Sequence, residues 1–271
     1  ATDGAAHGAG RLRRAEDALR RLEDTSSCQD VEGIPPRHLA RLLWAWGKLR
    51  FRSPQLLEVA CERAQFHMRK FSARELSNIV YALGLLRFRH EALLRMACAH
   101  GLERAAKFSG QGIANTLYAL ALLRFRSREL LFALCGCASS SVAKFKAQEV
   151  SNTVYACGLL RFLHGGLLFA VCADMPNRLM EFNAQNLSNM IYAMGLLKFK
   201  HEAFLQAAAR HLPSRLGEFT AQGLSNTMYG LGLLECKHRA LVQAFTAHVP
   251  HRVAELSPQH LSNIAFALGL L

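Results

Sequence analysis

The chain has 271 residues, 51% hydrophobic and 20% charged, with a formal net charge of +13. That composition allows a sizeable core, and the charge favours an acidic partner such as nucleic acid or an anionic membrane surface. Charged and polar residues recur every few positions, so no apolar run is long enough to span a bilayer, which argues against membrane insertion.

Residues 1–33 hold five Arg and seven acids, so they are net −2 and residues 34–271 carry +15. A Gly/Ala-rich start precedes a charged stretch, Arg11 to Asp24, which is expected to form a capping helix between disordered flanks. The chain opens on Ala1 and stops at Leu271 within a repeat, the pattern expected of a fragment or a processed chain.

From residue 34 a 37-residue period governs the sequence. Phe71, Phe108, Phe145, Phe182, Phe219 and Leu256 follow one another at that spacing, and one step back lands on Ile34. Six units are expected at 34–70, 71–107, 108–144, 145–181, 182–218 and 219–255, with a partial seventh at 256–271. Each reads as two helices. The first opens on a cap residue (Ser72, Ser109, Asn183, Thr220 or Ser257), with Ser72 and Glu75 spaced as a capping box and Pro258 at the first helical position. Leu76, Ile79, Val80, Leu83 and Leu86 then follow helical spacing. A basic connector such as Arg87–His90 leads to a second helix over about Glu91–Lys107.

So short a helix pair cannot bury its own apolar face, and stacking on neighbouring units must supply the core. Small residues recur where helices have to approach, in the columns of Ala82 and Gly84; Gly inside a helix is unfavourable by about 1 kcal/mol relative to Ala, so its recurrence implies a packing reason. The fold class that follows is all-α, a right-handed α-solenoid of tandem helix-turn-helix repeats. Cys61, Cys98, Cys135 and Cys172 lie in one column and read as small buried hydrophobes; with no CxxC pair, structural thiols in a reducing compartment are expected rather than zinc ligands.

Three columns are candidates for function. The first is polar: Asn78, Asn115, Asn152, Asn189, Asn226 and Asn263, with Arg41 in the first unit. The second is aromatic, from Trp44 through Tyr81 to Phe266. The third comprises the basic connectors Arg50, Arg52, Arg87, Arg89, Arg124, Arg126, Arg161, Lys198, Lys200 and Lys237, which together would make a phosphate track. At about 100° per residue, Glu75, Asn78 and Ala82 cluster opposite the main apolar arc and are expected to form a concave stripe. Its variable member (Glu75, Gly112, Glu149, Asn186, Gly223) would read bases, and the Asn column would make a uniform contact. Structural readings stand beside these: an Asn ladder bonding the neighbouring unit's backbone, aromatic residues as core, and lone connector cations as solvated surface. Charge per unit runs +6, +3, +3, 0, +2 and +1, so the electrostatic grip should be strongest in the first units.

No HExxH, P-loop, GxSxG or paired-carboxylate feature stands out, and His90, His164, His201 and His238 share a connector column that suits a surface contact better than a metal site. A non-catalytic protein without cofactor, metal or small-molecule substrate is expected.

The segment Phe71–Phe88, and the Q-x-L-S-N-x-x-Y-A-x-G-L-L pattern of Gln185–Leu197, resemble organellar helical-repeat families. The unit length is that of heptatricopeptide repeats, the motif is similar to octotricopeptide repeats, and there is similarity to helical-repeat subunits of the RNA-editing substrate-binding complex. The resemblance covers residues 34–271 and implies binding of single-stranded organellar RNA in a mitochondrion, or alternatively a plastid. The roles it implies are RNA stabilisation, processing, editing, translation or rRNA assembly, within a ribonucleoprotein or mitoribosomal assembly. Relatives of this kind often end in a RAP domain, which would fall beyond Leu271. The first unit departs from the motif at Arg41 and Trp44, and a capping role is expected there. The competing reading is an armadillo- or HEAT-like scaffold that binds protein and no nucleic acid.

Overall fold

The computed structural model describes Val31 and residues 33–271, and the expected helix over Arg11–Asp24 lies outside them. The regular structure of the described residues is helical, with thirteen α-helices joined by connectors and short 3-10 turns. The first helix of each repeat (the A row) is α1 (Pro36–Leu49), α3 (Ala73–Leu86), α5 (Gly110–Leu122), α7 (Ala147–Leu159), α9 (Ala184–Leu197), α11 (Ala221–Leu233) and α13 (Pro258–Leu270). The second (the B row) is α2 (Pro54–Phe66), α4 (Glu91–Leu102), α6 (Arg128–Ser139), α8 (Gly165–Arg178), α10 (Glu202–His211) and α12 (Arg239–His248). Successive starts within each row are separated by the same 37 residues as the sequence period. The fold is the α-solenoid arrangement of stacked helix pairs.

The B helices stop earlier than the periodicity predicts. The segment expected as one helix to Lys107 ends at Leu102, and a 3-10 turn over Ala105–Lys107 follows. Such turns redirect the chain so that the next repeat opens on a residue of the Phe71 column, and Phe71, Phe182 and Phe219 are buried there.

The chain divides into two compact units, one up to Leu130 and one from Leu131, the division falling inside α6. Within each unit the A helices pack on one another extensively while the B helices meet over short stretches. The glycine column explains the close A row. A methyl group added at Gly84 would lie 2.8 Å from Ala119 Cα, and one at Gly195 2.8 Å from Gly230 Cα. Gly269, with nothing within 4 Å, has no such neighbour. A second link runs beside it: Ser77 Oγ donates to the Gly112 carbonyl at 3.1 Å, Ser151 to Asn186 at 3.1 Å and Ser188 to Gly223 at 3.0 Å. These buried hydroxyls tie α3, α7 and α9 each to the first turn of the next A helix.

In the second unit an arginine staples each repeat together. Arg178 donates to the Phe145 carbonyl at 2.6 Å and Arg215 to Phe182 at 3.0 Å, while each also pairs with the glutamate three residues on. The guanidinium holds the Glu181 and Glu218 carboxyls below the usual range by hydrogen bonding. Cys61, Cys98, Cys135 and Cys172 are buried, as their column predicts. Burial pushes the Cys98 and Cys172 thiols up to about 12, which suits packing groups rather than nucleophiles.

Candidate nucleic-acid interface

Each A helix presents one open stripe, at positions i, i+4, i+7 and i+11, which fall within about 60° of one another. In α3 these are Arg74, Asn78, Tyr81 and Leu85, each exposed or half-buried. In α5 the set is Gln111, Asn115, Tyr118 and Leu122, and in α11 it is Gln222, Asn226, Tyr229 and Leu233. The stripe is displaced from the expected one: Ala82 is fully buried against the neighbouring A helix, and the open side is centred nearer Tyr81. The exposed first member, Arg37 and Arg74 and then Gln in every later repeat, is a column that sequence reasoning passed over. A polar residue in a helix's first turn looks like ordinary solvated surface, and only its alignment with Asn and Tyr marks it.

The Asn column sits at the centre of the stripe, half-buried in all six repeats that carry it. Asn263 accepts from Gln259 Nε2 at 3.0 Å and donates to Ser225 Oγ at 3.4 Å. Among the described residues the amides of Asn78, Asn115, Asn152, Asn189 and Asn226 make no side-chain hydrogen bond. The ladder between repeats is built by the serine that precedes Asn (Ser77, Ser151, Ser188), so the amides keep their donors and acceptors available.

The aromatic column runs along the same stripe, half-buried from Tyr81 to Tyr229 and exposed at Trp44 and Phe266. In the second unit the rings form a ladder, with centroids 6.3 Å apart from Tyr155 to Tyr192, 6.0 Å from Tyr192 to Tyr229 and 5.7 Å from Tyr229 to Phe266. Burial raises the Tyr192 hydroxyl above its ordinary value.

The variable column has a structural occupation. Glu75 Oε2 accepts from Ser72 N at 2.8 Å, Glu149 Oε2 from Lys146 N at 3.0 Å and Asn186 Oδ1 from Asn183 N at 3.3 Å. Gly112 and Gly223 have no side chain, and their N–H groups donate to Ser109 and Thr220 at 3.1 Å. The variation thus runs between alternative ways of capping one helix turn.

The ten connector cations are all exposed. One of each pair terminates the A helix in the left-handed region: φ is 54° at Arg50 and Arg87, 51° at Arg124, 48° at Arg161 and 52° at Lys198, with Glu235 at 49°. Arg87 N donates to Gly84 O and Phe88 N to Leu83 O, the Schellman pattern in which Gly is the favoured residue. The side chains reach towards the next repeat, Arg87 Nη1 to Leu122 O and Arg89 Nη1 to Leu123 O, both at 3.4 Å. Lys200 Nζ makes the same 3.4 Å approach to Glu235 O. Arg52, Arg126 and Lys237 lie two residues after the left-handed position, as Arg89 and Lys200 do. Three connector histidines cap B helices, His90 Nδ1 accepting from Leu93 N at 3.1 Å, His164 Nδ1 from Leu167 N at 3.0 Å and His201 Nδ1 from Phe204 N at 3.4 Å, a role their spacing had not revealed. His238 makes no such cap.

Among the described residues no group of His, Cys, Asp and Glu is arranged to hold a metal ion, and no helix is long and apolar enough to cross a membrane. A search of curated proteins finds no significant match to the chain. The model of one family, RNA-editing substrate-binding complex 6 protein (RESC6), matches residues 24–165, which takes in the two helices of each of the first three repeats and α7. That match spans more than half of the sequence and takes in the Asn–Tyr stripes of α3, α5 and α7: the chain belongs to the RESC6 family.

Proposed function

We propose that this protein is a non-catalytic subunit of a mitochondrial RNA-editing substrate-binding complex and holds single-stranded RNA on the open stripes of its A helices. The observation that carries this reading is the recurrence, repeat after repeat, of an unpartnered Asn amide beside a half-exposed aromatic ring. Stacking of a base on an aromatic side chain contributes about 1–3 kcal/mol and tolerates any base. A terminal amide rotates freely and offers both donor and acceptor. The connector cations, Arg50 to Lys237, supply phosphate contacts along the connector side of each unit. The family name and the likeness to heptatricopeptide and octotricopeptide repeats support the same partner.

Sequence discrimination is weak in this arrangement. From α5 onward the open stripe carries the same Gln, Asn and aromatic set, and the variable Glu75 column is engaged at its own helix caps. Within the second unit, a strand shifted by one repeat meets the same Gln, Asn and aromatic groups. The test is single-stranded RNA binding by the full chain, measured against salt with several unrelated sequences. The reading expects similar affinities and a steep loss with salt, each phosphate contact adding about −0.7 to the log–log slope. Undetectable binding at low salt overturns it.

A protein-scaffold reading draws on the exposed Phe132, Leu163 and Phe169 of the second unit, where Leu163 stands in place of a connector cation. That patch fits contact with another subunit and leaves the A stripes open for RNA.

A further inference from the structure

The open stripe of the first repeat carries a chemistry the later ones lack. Arg37, Arg41, Trp44 and Lys48 lie at i, i+4, i+7 and i+11 of α1, so three cations and one indole share a single helix face, and all four are exposed. Arg74 opens the equivalent stripe of α3, one helix away in the same unit. Among the described residues none of these four cations has a carboxylate within ion-pair distance. Lys48 Nζ instead lies 5.8 Å from the Trp44 ring centroid and 5.4 Å from that of Tyr81, which brings its charge between the two aromatic groups.

Folding does not account for the two first-turn charges. Arg37 and Arg74 occupy the first turn of their helices, at the positive end of the helix dipole, where a cation is disfavoured. α1 has no acid in its first turn to offset Arg37, and every repeat after the second has neutral Gln at that position. A cation retained where the helix field opposes it, beside an exposed indole, fits a ligand that is both anionic and planar.

We infer that Arg37, Arg41, Lys48 and Arg74, set around Trp44, form a phosphate anchor for a nucleotide of single-stranded RNA, the strongest point of attachment on a face that is otherwise neutral. This rests on the RNA reading above and adds to it a site distinct from the connectors. The indole stacks on a base while the four cations meet the flanking phosphates, so the anchor fixes where a strand engages although the remaining stripes offer no preferred register.

Intrinsic fluorescence tests this, because the chain has two tryptophans and they differ in exposure: Trp44 is 41% exposed and Trp46 4%. Single-stranded RNA of mixed sequence should quench the full chain's emission, the quenching should persist in Trp46→Phe, and it should vanish in Trp44→Phe. In parallel, the variant R37Q/R41Q/K48Q/R74Q should lose about 3 from the magnitude of the salt slope and bind at least about tenfold more weakly at low salt. The control R69Q/K70Q/K107Q/K144Q removes the same charge from exposed positions off the stripes, and its binding should fall far less. Thermal melts of both variants guard against unfolding. Wild-type binding with no Trp44-dependent quenching, or equal losses in the two variants, overturns the anchor and leaves the RNA reading standing. No wild-type binding overturns both.

Discussion

The stripes of α1 and α11 are built on the same helix type, in the same row and at the same repeat position, yet they carry opposite chemistry. One presents Arg37, Arg41, Trp44 and Lys48; the other presents Gln222, Asn226, Tyr229 and Leu233. Beneath both, the packing devices are alike: Gly47 closes on Ala82 in the first unit as Gly232 closes on Ala267 in the second. A constant interior under a changing surface separates two demands on one helix. The buried side answers to stacking, and the open side answers to something outside the chain.

The largest effects are expected where the two regions agree. Gly84→Val and Gly195→Val each push a branched side chain into backbone 2.8 Å from an added methyl, and each should destabilise its unit by about 3 kcal/mol in denaturant melts. If either is tolerated, the shared interior is not what sets the A row. The next largest belong to the open aromatic groups. Trp44→Ala and Tyr229→Ala should each weaken RNA binding by about 1–3 kcal/mol in titrations. A smaller effect is expected for the combined change of Asn152, Asn189 and Asn226 to Ala. RNA binding should fall about tenfold through three lost hydrogen-bonding groups at about 0.5 kcal/mol each, the low end for a single bond, while the melting temperature holds. A drop in stability with no change in binding would make the column structural.

The smallest change separates the two demands at one residue. Arg87 sits at φ 54°, a conformation that disfavours a side chain by about 1 kcal/mol and that glycine adopts freely. Arg87→Gly should therefore hold or raise stability by about that much, less the weak Arg87–Leu122 contact, while the RNA salt slope falls by about 0.7. Lower stability with an unchanged slope would assign the connector to packing.

Much of the fold was legible in the sequence. A 37-residue period without slips predicted where every A helix starts, and Ser72, Ser109, Asn183, Thr220 and Ser257 cap as their position implied. The candidate face was only partly legible. A helical wheel orders side chains around an axis but does not say which arc meets the neighbouring helix. The wheel alone puts Glu75 and Ala82 on the open stripe for that reason, although Ala82 faces Gly47 and Glu75 turns to Ser72. The Asn column could be read as a ladder or as a contact because Ser77 and Asn78 are adjacent polar residues, and only the 3.1 Å bond from Ser77 to Gly112 separates them. The first repeat was expected to act as a cap because Arg41 and Trp44 break the motif. Those same departures, seen on one exposed face, are what distinguish it.

The placement of RNA is tested most directly by photocrosslinking the full chain to single-stranded RNA carrying 4-thiouridine and mapping the linked residues by mass spectrometry. Crosslinks should concentrate on Trp44, Tyr81, Tyr118, Tyr155, Tyr192, Tyr229 and Phe266, the aromatic members of the A stripes. Crosslinks confined to the B row, at exposed rings such as Phe66, Phe132 and Phe169, would contradict the account.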